Sequence, residues 1–523
     1  MTTNRCDILI IGAGHNGLVA AAYLAKRGKK VIVLERRPIV GGSVVTETFD
    51  DGSAYDPVWT GGMLRPDIVK DLKLASHGLR VDSVRKAFIS LQADSNHLVL
   101  DPDPATAAEA IKPFSEKDAA RWGDFVRFMN KAAYILDVAY DTLMPRLPRD
   151  FSLREGYGLL ELGLELRLAG RKDMLNFIRA LPMTAQELLE EYFESEVLKA
   201  ALASLAIHAH TLGPMEAGTG YTLIHNWLNR GGLAHAPSPI GRGDGGEGEV
   251  QVVGGIGAIT QALANAVKSF GGEIRTEAEV SRIQVDTYTC KGVVLSNGEE
   301  IFADAVVSAV DPKRTFLELV GAPNLPPEFV WKVQSIKMRG SVAKVHLLTD
   351  GNHGLPDGTL VVAPSIKYLE KAYDAAKYGE ISEKPYLEVT TMGKVVSIHF
   401  QFAPYHLKHG TLRQNSGQAW GVERETVENL ALNTLSEYFP NLKSSIVNRK
   451  SITPLDLEQT YGLTEGDLNH GQLMLDQFLF MRPIPGWSNH KTPIDNLYLC
   501  GSGVHGGGGV SGAAGRNLLK VLK

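Results

Sequence analysis

The chain has 523 residues, a formal net charge of −5, 44% hydrophobic and 22% charged residues, and three cysteines. This is the composition of a globular protein with two or three domains' worth of core. It gives no basis for nucleic-acid binding, holds no apolar run of the ~18 residues a membrane helix needs, and has no C-x-x-C pair for thiol–disulfide exchange.

Asp7-Ile-Leu-Ile-Ile11 is a near-continuous apolar run and reads as a buried parallel strand. Gly12-Ala13-Gly14-His15-Asn16-Gly17 follows with G-x-G-x-x-G spacing. The first glycine permits a tight turn, the second lets backbone approach a pyrophosphate, and the third allows close helix–strand packing. A helix from Leu18 to Arg27 would turn its positive N-terminus toward the phosphates, with Gly28 as its C-cap. Lys30-Val-Ile-Val-Leu-Glu35 supplies a second strand that ends in an acid. Glu35 lies 18 residues past Gly17, near the ~20-residue offset of a carboxylate that binds ribose hydroxyls. Its charge disfavours a 2′-phosphate. Strand, turn, helix, strand and acid in this order predict a dinucleotide site.

Further along come Arg36, Arg37 and a second glycine pair, Gly41-Gly42-Ser43. Residues from about 75 to 245 lean helical, and Thr184-Ala-Gln-Glu187 reads as a capping box. His208, His210, His225 and His235 cluster in sequence, but a two-residue spacing puts His208 and His210 on different faces of a helix. No metal site is expected. Tyr221, His225 and Trp227 read as core or surface groups before chamber-lining ones. Residues 237–249 form a Gly-rich, charged stretch that reads as a surface loop. Residues 303–311 read as a strand, and 340–348, 385–391 and 395–403 lean strand.

The chain closes on another apolar run, Leu497-Tyr-Leu-Cys500, which breaks into Gly501-Ser502-Gly-Val-His505-Gly-Gly-Gly508-Gly509-Val510-Ser511-Gly512. Such a run lets the C-terminus return to the same ligand as the N-terminal turn. Two ends on one ligand point to FAD and to redox chemistry. Backbone can pack under the ring at the glycines, and a helix from about Ala513 would add its dipole there. His505 is the candidate catalytic residue, as a hydrogen-bonding group beside the ring.

Gly41-Gly42-Ser43 resembles the extended pyrophosphate motif of FAD-dependent amine oxidases and phytoene desaturases. Ser43 stands where many amine oxidases carry arginine, so phosphate neutralisation falls to backbone amides or to Arg36 and Arg37. Val253-Gly-Gly-Ile-Gly257 with Gly272 to Val280 is similar to that family's third FAD element, which implies that Val280 backbone contacts adenine. Gly61-Gly62-Met63-Leu64 corresponds to a segment that runs past the ring in relatives. The blocks 462–471, 475–477 and 482–487 and the run from Gly501 to Asn517 resemble the phytoene desaturase-related branch named for a pyridine nucleotide-disulfide oxidoreductase domain. The likeness covers nearly the whole chain. Cys6 and Cys500 read as small buried residues, so that disulfide name finds no support in this sequence.

The expected fold is therefore α/β: a Rossmann-like FAD-binding domain from residues 1–75, 250–325 and 490–523, and a mixed α+β substrate domain from 76–249 and 326–489. The resemblance implies a non-covalent FAD, because no side chain stands where related amine oxidases attach flavin. It implies an oxidoreductase that desaturates or dehydrogenates an apolar, isoprenoid-like or amine-bearing small molecule by hydride transfer to flavin N5. A redox-neutral isomerase and a flavin-stabilised binding protein are the alternatives. An apolar substrate also allows peripheral contact with a membrane, and the oligomeric state is left open. A first strand at Asp7 leaves no room for a signal peptide, and few cysteines fit a reducing compartment. The expected location is cytoplasmic, with the mitochondrial matrix open to a eukaryotic chain.

Overall fold

The computed structural model describes residues 5–59, 62–84, 86–146, 153–168, 170–229, 249–408 and 416–522. Two seven-stranded sheets organise them. The first begins with β1 (Arg5–Ile11), which passes through a glycine turn into α1 (His15–Lys26) and returns as β2 (Val31–Leu34). β1 pairs in parallel with β2 on one side and with Glu300–Ser308 on the other, so that Leu9 lies between Ile32 and Val306. Glu273–Arg275 extends the β2 edge, and Leu497–Leu499 joins Glu300–Ser308 in parallel. One sheet thus collects strands from three widely separated stretches of chain.

The unbroken apolar run of β1 has a physical reason. Ile8 and Ile10 pack into a cluster with Leu18, Ala21 and Leu263, while Leu9 and Ile11 pack into another with Phe316 and Leu319. Both faces are covered, so the strand has no polar side. Cys6, Cys290 and Cys500 are buried free thiols, and burial pushes Cys6 and Cys290 up to about 11. They are small core residues rather than reactive groups.

The second sheet runs in the order Ile446–Ile452, Val342–Thr349, Val395–Gln401, Tyr386–Met392, Gly358–Val362, Ala87–Ser90, Leu98–Leu100. Two strands therefore lie inside the stretch that leans helical by sequence, and Val81–Val84 pairs separately with Glu249–Val252. Short apolar runs such as Ala-Phe-Ile-Ser do not declare their period; the neighbouring strand decides. The sheet's faces differ in kind. Ala343, Val345, Val396, Ile398 and Val389 pack against Trp420, Val427 and Leu435. The other face carries Lys344, His346, Glu388, Ser397, His399 and Gln401, all buried.

Helices Glu116–Asp141, Ala185–Glu190, Glu196–Ile207 and Thr219–Asn229 share the largest apolar cluster among the described residues, which also takes in Phe88, Val361 and Tyr386 of the sheet. Thr184 and Glu187 form a reciprocal capping box at the start of Ala185–Glu190. Among the described residues, no helix is long and apolar enough to cross a membrane.

Candidate functional site

The N-terminal turn has the geometry its spacing predicts. Gly12 sits at φ +94°, which ends β1 in a conformation a side chain resists. A Cβ on Gly17 would lie 2.3 Å from the Gly12 carbonyl oxygen, so the third glycine seats α1 on the turn. A Cβ on Gly14 would meet no protein atom within 4 Å; that side of the turn faces an open cleft. Glu35, at the end of β2, accepts from the Ala13 amide (2.9 Å) and the Arg37 amide (3.0 Å) while it lines this cleft. Gly41 donates its amide to the Ala13 carbonyl (2.9 Å), which brings Gly42 and Ser43 to the same wall. Asn16 donates to the Ser502 hydroxyl (3.2 Å), so the first and last thirds of the chain meet here.

Arg36 and Arg37 also line the cleft, each tied to the tail block. Arg36 donates to the Gln459 and Thr460 carbonyls (both 3.0 Å). Arg37 donates to the Gly42 carbonyl (3.1 Å) and lies 4.8 Å over the Tyr461 ring. Ser43 accepts from the Trp59 indole N–H (3.2 Å), which fixes that ring at the cleft's end. Val280 lines the far end of the cleft with Ala278 and Leu319.

Two buried imidazoles test whether a polar ligand fits. His15 Nε2 and His470 Nδ1 have no hydrogen-bond partner, and both residues line the cleft. Burial lowers both rings to about 4, so both are neutral. Buried polar atoms without partners are uncommon in a folded chain. With the Gly14 opening and the Glu35 carboxylate, they fit a dinucleotide whose phosphates and ribose supply the missing partners.

A second chamber adjoins the cleft. Trp59 and Gly509 line both spaces. One wall is apolar, from Met63, Phe88, Leu205, Ile256 and Val510; another is polar, from His208, His210, His225, Asn226, Asn229 and Asn469. His225 is held from both sides. Its Nδ1 lies 2.6 Å from the Tyr140 hydroxyl, and its Nε2 lies 2.8 Å from the Asn229 amide nitrogen. The Tyr140 hydroxyl is 2.8 Å from that of Tyr221. His208 faces the Glu388 carboxylate at 3.1 Å. Gly508 and Gly509 allow the C-terminal loop to reach this wall: a Cβ on each would come within 3.1 Å of His225 and 3.3 Å of Asn229.

The convergence of three histidines corrects the reading from their spacing. The helix ends at Ile207, so His208 and His210 lie on the turn beyond it rather than on two helix faces. Ala209 adopts φ +59°, and Gln401 holds the turn by accepting from the Ala209 amide (3.0 Å) and donating to the His210 carbonyl (2.5 Å). Among the described residues, no group of His, Cys, Asp and Glu is arranged to hold a metal ion. His225 lines the chamber, whereas Tyr221 and Trp227 belong to the core.

His505 is a correction of another kind. It lines neither space, is 1% exposed, and donates from Nε2 to the Ala139 carbonyl (2.9 Å). Burial lowers it to about 3. The ring ties the glycine loop to helix Glu116–Asp141 and is a structural strap. His505→Ala is expected to keep flavin content and the visible spectrum while unfolding at lower temperature, a loss of ~1–3 kcal/mol. An altered flavin spectrum with unchanged melting would return it to the site.

The other candidates divide. Gly62, Met63, Gly509 and Val510 line the chamber, and Ser502 and Gly509 line the cleft. Leu64 packs in the core beside α1 instead of facing either space. Ala13 and Gly501 act through backbone: a Cβ on Gly501 would lie 2.6 Å from the Ala309 carbonyl oxygen. Ser511 accepts from the Arg65 amide through its carbonyl (3.0 Å). Gly61, His235 and residues 237–248 lie outside the described residues. The sequence reading did not single out Trp59, His470, Arg482 or the buried polar face of the second sheet. That face carried a signal, since Lys344/His346 and Ser397/His399/Gln401 alternate strictly with apolar residues.

Comparison with known proteins follows the same lines. The sequence pattern of the flavin containing amine oxidoreductases spans residues 17–515. A rat protein called pyridine nucleotide-disulfide oxidoreductase domain-containing protein 2 is 32% identical over 99% of this chain and 93% of its own length. The lycopene-forming phytoene desaturase of Pantoea ananas is 25% identical over 97% of this chain and 96% of its own. Among solved structures, an oxidoreductase from Methanosarcina mazei superposes with a TM-score of 0.60 at 17% identity, covering 99% of this chain and all of that one; at that identity the likeness concerns the fold.

Proposed function

The chain belongs to the flavin containing amine oxidoreductase family, and from that premise we propose that it binds FAD non-covalently and dehydrogenates or desaturates a largely apolar small molecule. The observation that carries the proposal is the junction at Trp59 and Gly509, where the glycine-lined cleft opens into the second chamber. A ligand laid along the cleft from Val280 past Gly14 ends where a substrate in the chamber begins. A flavin held in the cleft would supply a hydride acceptor for a substrate C–H bond. The chain's own task is then positioning. Trp59 and Val510 close the junction, Met63, Phe88 and Ile256 exclude water from the apolar wall, and His208, His210 and His225 form the polar one. The relation to an isoprenoid desaturase favours an isoprenoid-like substrate over an amine.

Among the described residues that line the chamber, the ionisable groups besides the histidines are Lys86 and Asp56. Asp56, the carboxyl that lines the chamber, accepts from the Thr46 hydroxyl (2.6 Å) and the Ile256 amide (3.0 Å), and burial raises it to about 6. This favours chemistry that rests on hydride transfer and substrate placement.

The purified protein is expected to be yellow, and acid is expected to release FAD, identified by its mass, into the supernatant. Release of FMN, or flavin that stays with the precipitated protein, would contradict the cofactor assignment. Anaerobic mixing with candidate isoprenoids should bleach the flavin absorbance. Turnover without net electron transfer would favour an isomerase instead, and a flavin that no substrate bleaches or turns over would favour a binding protein.

A further inference from the structure

We propose that the His210 end of the chamber is a subsite for an uncharged oxygen function, a hydroxyl or carbonyl, carried by an otherwise apolar substrate. The proposal rests on the flavin oxidoreductase reading above and narrows its substrate class.

His210 is 3% exposed and lines the chamber, yet neither of its ring nitrogens has a hydrogen-bond partner. Leaving such a group unsatisfied carries its full desolvation penalty, and a native chain seldom tolerates it without a reason. The neighbouring polar groups are already engaged. His225 is held by Tyr140 and Asn229. Asn226 donates to the Leu205 and His208 carbonyls (2.7 and 3.2 Å), and Asn469 to the Ala209 carbonyl (3.1 Å). Both nitrogens of the His210 ring thus keep unused hydrogen-bonding capacity at this wall. Gln401 fixes its backbone from below, so the ring is presented by a rigid element rather than a loose loop.

The charge of the surroundings selects the ligand. Burial, the His225 and His208 rings and the Arg482 guanidinium hold His210 well below the ordinary imidazole value, so it stands neutral at pH 7. A substrate ammonium here would meet the Arg482 charge in a water-poor space, and Asp56 is engaged by Thr46 and Ile256. A hydroxyl can donate to a bare ring nitrogen or accept from an N–H, so either tautomer suits it; a carbonyl suits the N–H form. A plain hydrocarbon leaves the ring unsatisfied. Discrimination of this kind, by a buried polar group that only one ligand satisfies, is stronger than discrimination by apolar fit. The apolar lining residues, among them Met63, Phe88, Ile256 and Val510, suit the apolar remainder.

The test uses three probes with one chain and three ends: farnesol, farnesene and farnesylamine. Each is titrated into the flavin-loaded protein at neutral pH while the flavin absorbance is followed. Farnesol is expected to bind at least about tenfold tighter than the other two, the worth of roughly one hydrogen bond. His210→Phe should bring farnesol to within about twofold of farnesene at unchanged flavin content, and His210→Gln should keep much of the preference. Equal affinity for farnesene, tighter binding of farnesylamine, no binding of farnesol, or a preference that persists in His210→Phe would each overturn the proposal. A preparation that holds no flavin overturns the underlying reading along with it; a flavin-holding one without the preference overturns this inference alone.

Discussion

Replacing Arg482 by Met is expected to destabilise the protein by about 3–5 kcal/mol, the cost of breaking one side of a buried charged network. Arg482 is 3% exposed. It donates from Nη1 to the Gly471 carbonyl (3.0 Å) and from Nη2 to the carbonyls of Asn469 (2.6 Å) and Ser502 (2.9 Å). One guanidinium therefore clamps the loop that carries His470 onto the glycine run that carries Ser502, and both residues line the cofactor cleft. Methionine fills similar volume but leaves three buried carbonyls without a donor. Beside them Asp467, held by the amides of Asn469 (2.8 Å), Gly471 (3.3 Å) and Arg339 (3.2 Å), loses its cationic neighbour. Flavin content should fall with stability. Denaturant unfolding and the ratio of flavin to protein absorbance measure the two effects. Arg482→Lys should recover only part, because one ammonium lacks the planar fork that serves three carbonyls at once. A loss below about 1 kcal/mol in Arg482→Met would place the clamp elsewhere.

The second large effect is acid lability. Burial lowers His225, His346 and His505 to about 3 and His490 to about 4. In the unfolded chain these rings take up protons near pH 6.5. Below that pH the unfolded state binds more protons than the folded state, so stability is full above about pH 6.5 and is lost as pH falls. Each ring contributes a slope approaching ~1.4 kcal/mol per pH unit until its folded-state value is reached. Asp56, raised to about 6, and the raised carboxyls of Asp137, Asp311, Asp467, Glu318 and Glu370 work in the opposite sense, but burial also lowers His15, His210, His399 and His470, so the rings outnumber them. The melting temperature is expected to be nearly flat from about pH 8 to 7 and to drop steeply between about pH 6 and 4.5. A melting temperature unchanged down to about pH 4.5 would show that these rings are not held neutral by burial.

Several features were legible because their causes are local. A glycine turn after an apolar strand needs only its own residues: Gly12 must adopt positive φ, and Gly17 must lie against the Gly12 carbonyl. The capping box at Thr184 is likewise closed within four residues. The polar wall of the chamber was not legible, because spacing along the chain says nothing about it. His208 and His210 belong to one turn, His225 to a helix, and Gln401 to a strand, and only packing brings them together. His505 misled for the same reason: its position in a glycine run suggested the flavin, but the side chain turns to the Ala139 carbonyl on a helix more than 360 residues earlier.

By itself, then, the sequence determined the strand–turn–helix cradle, the acid at its second strand, the return of the C-terminal glycine run and the membership of a flavin oxidoreductase family. These follow from backbone rules that act over a few residues and from motifs that keep fixed order. Tertiary structure alone decided which side chains face the chamber. Register between Val342–Thr349, Tyr386–Met392 and Val395–Gln401 sets Lys344 and Glu388 opposite His399 on one buried face. A slip of one residue in any of these strands would turn its polar set toward Trp420 and its apolar set toward the chamber.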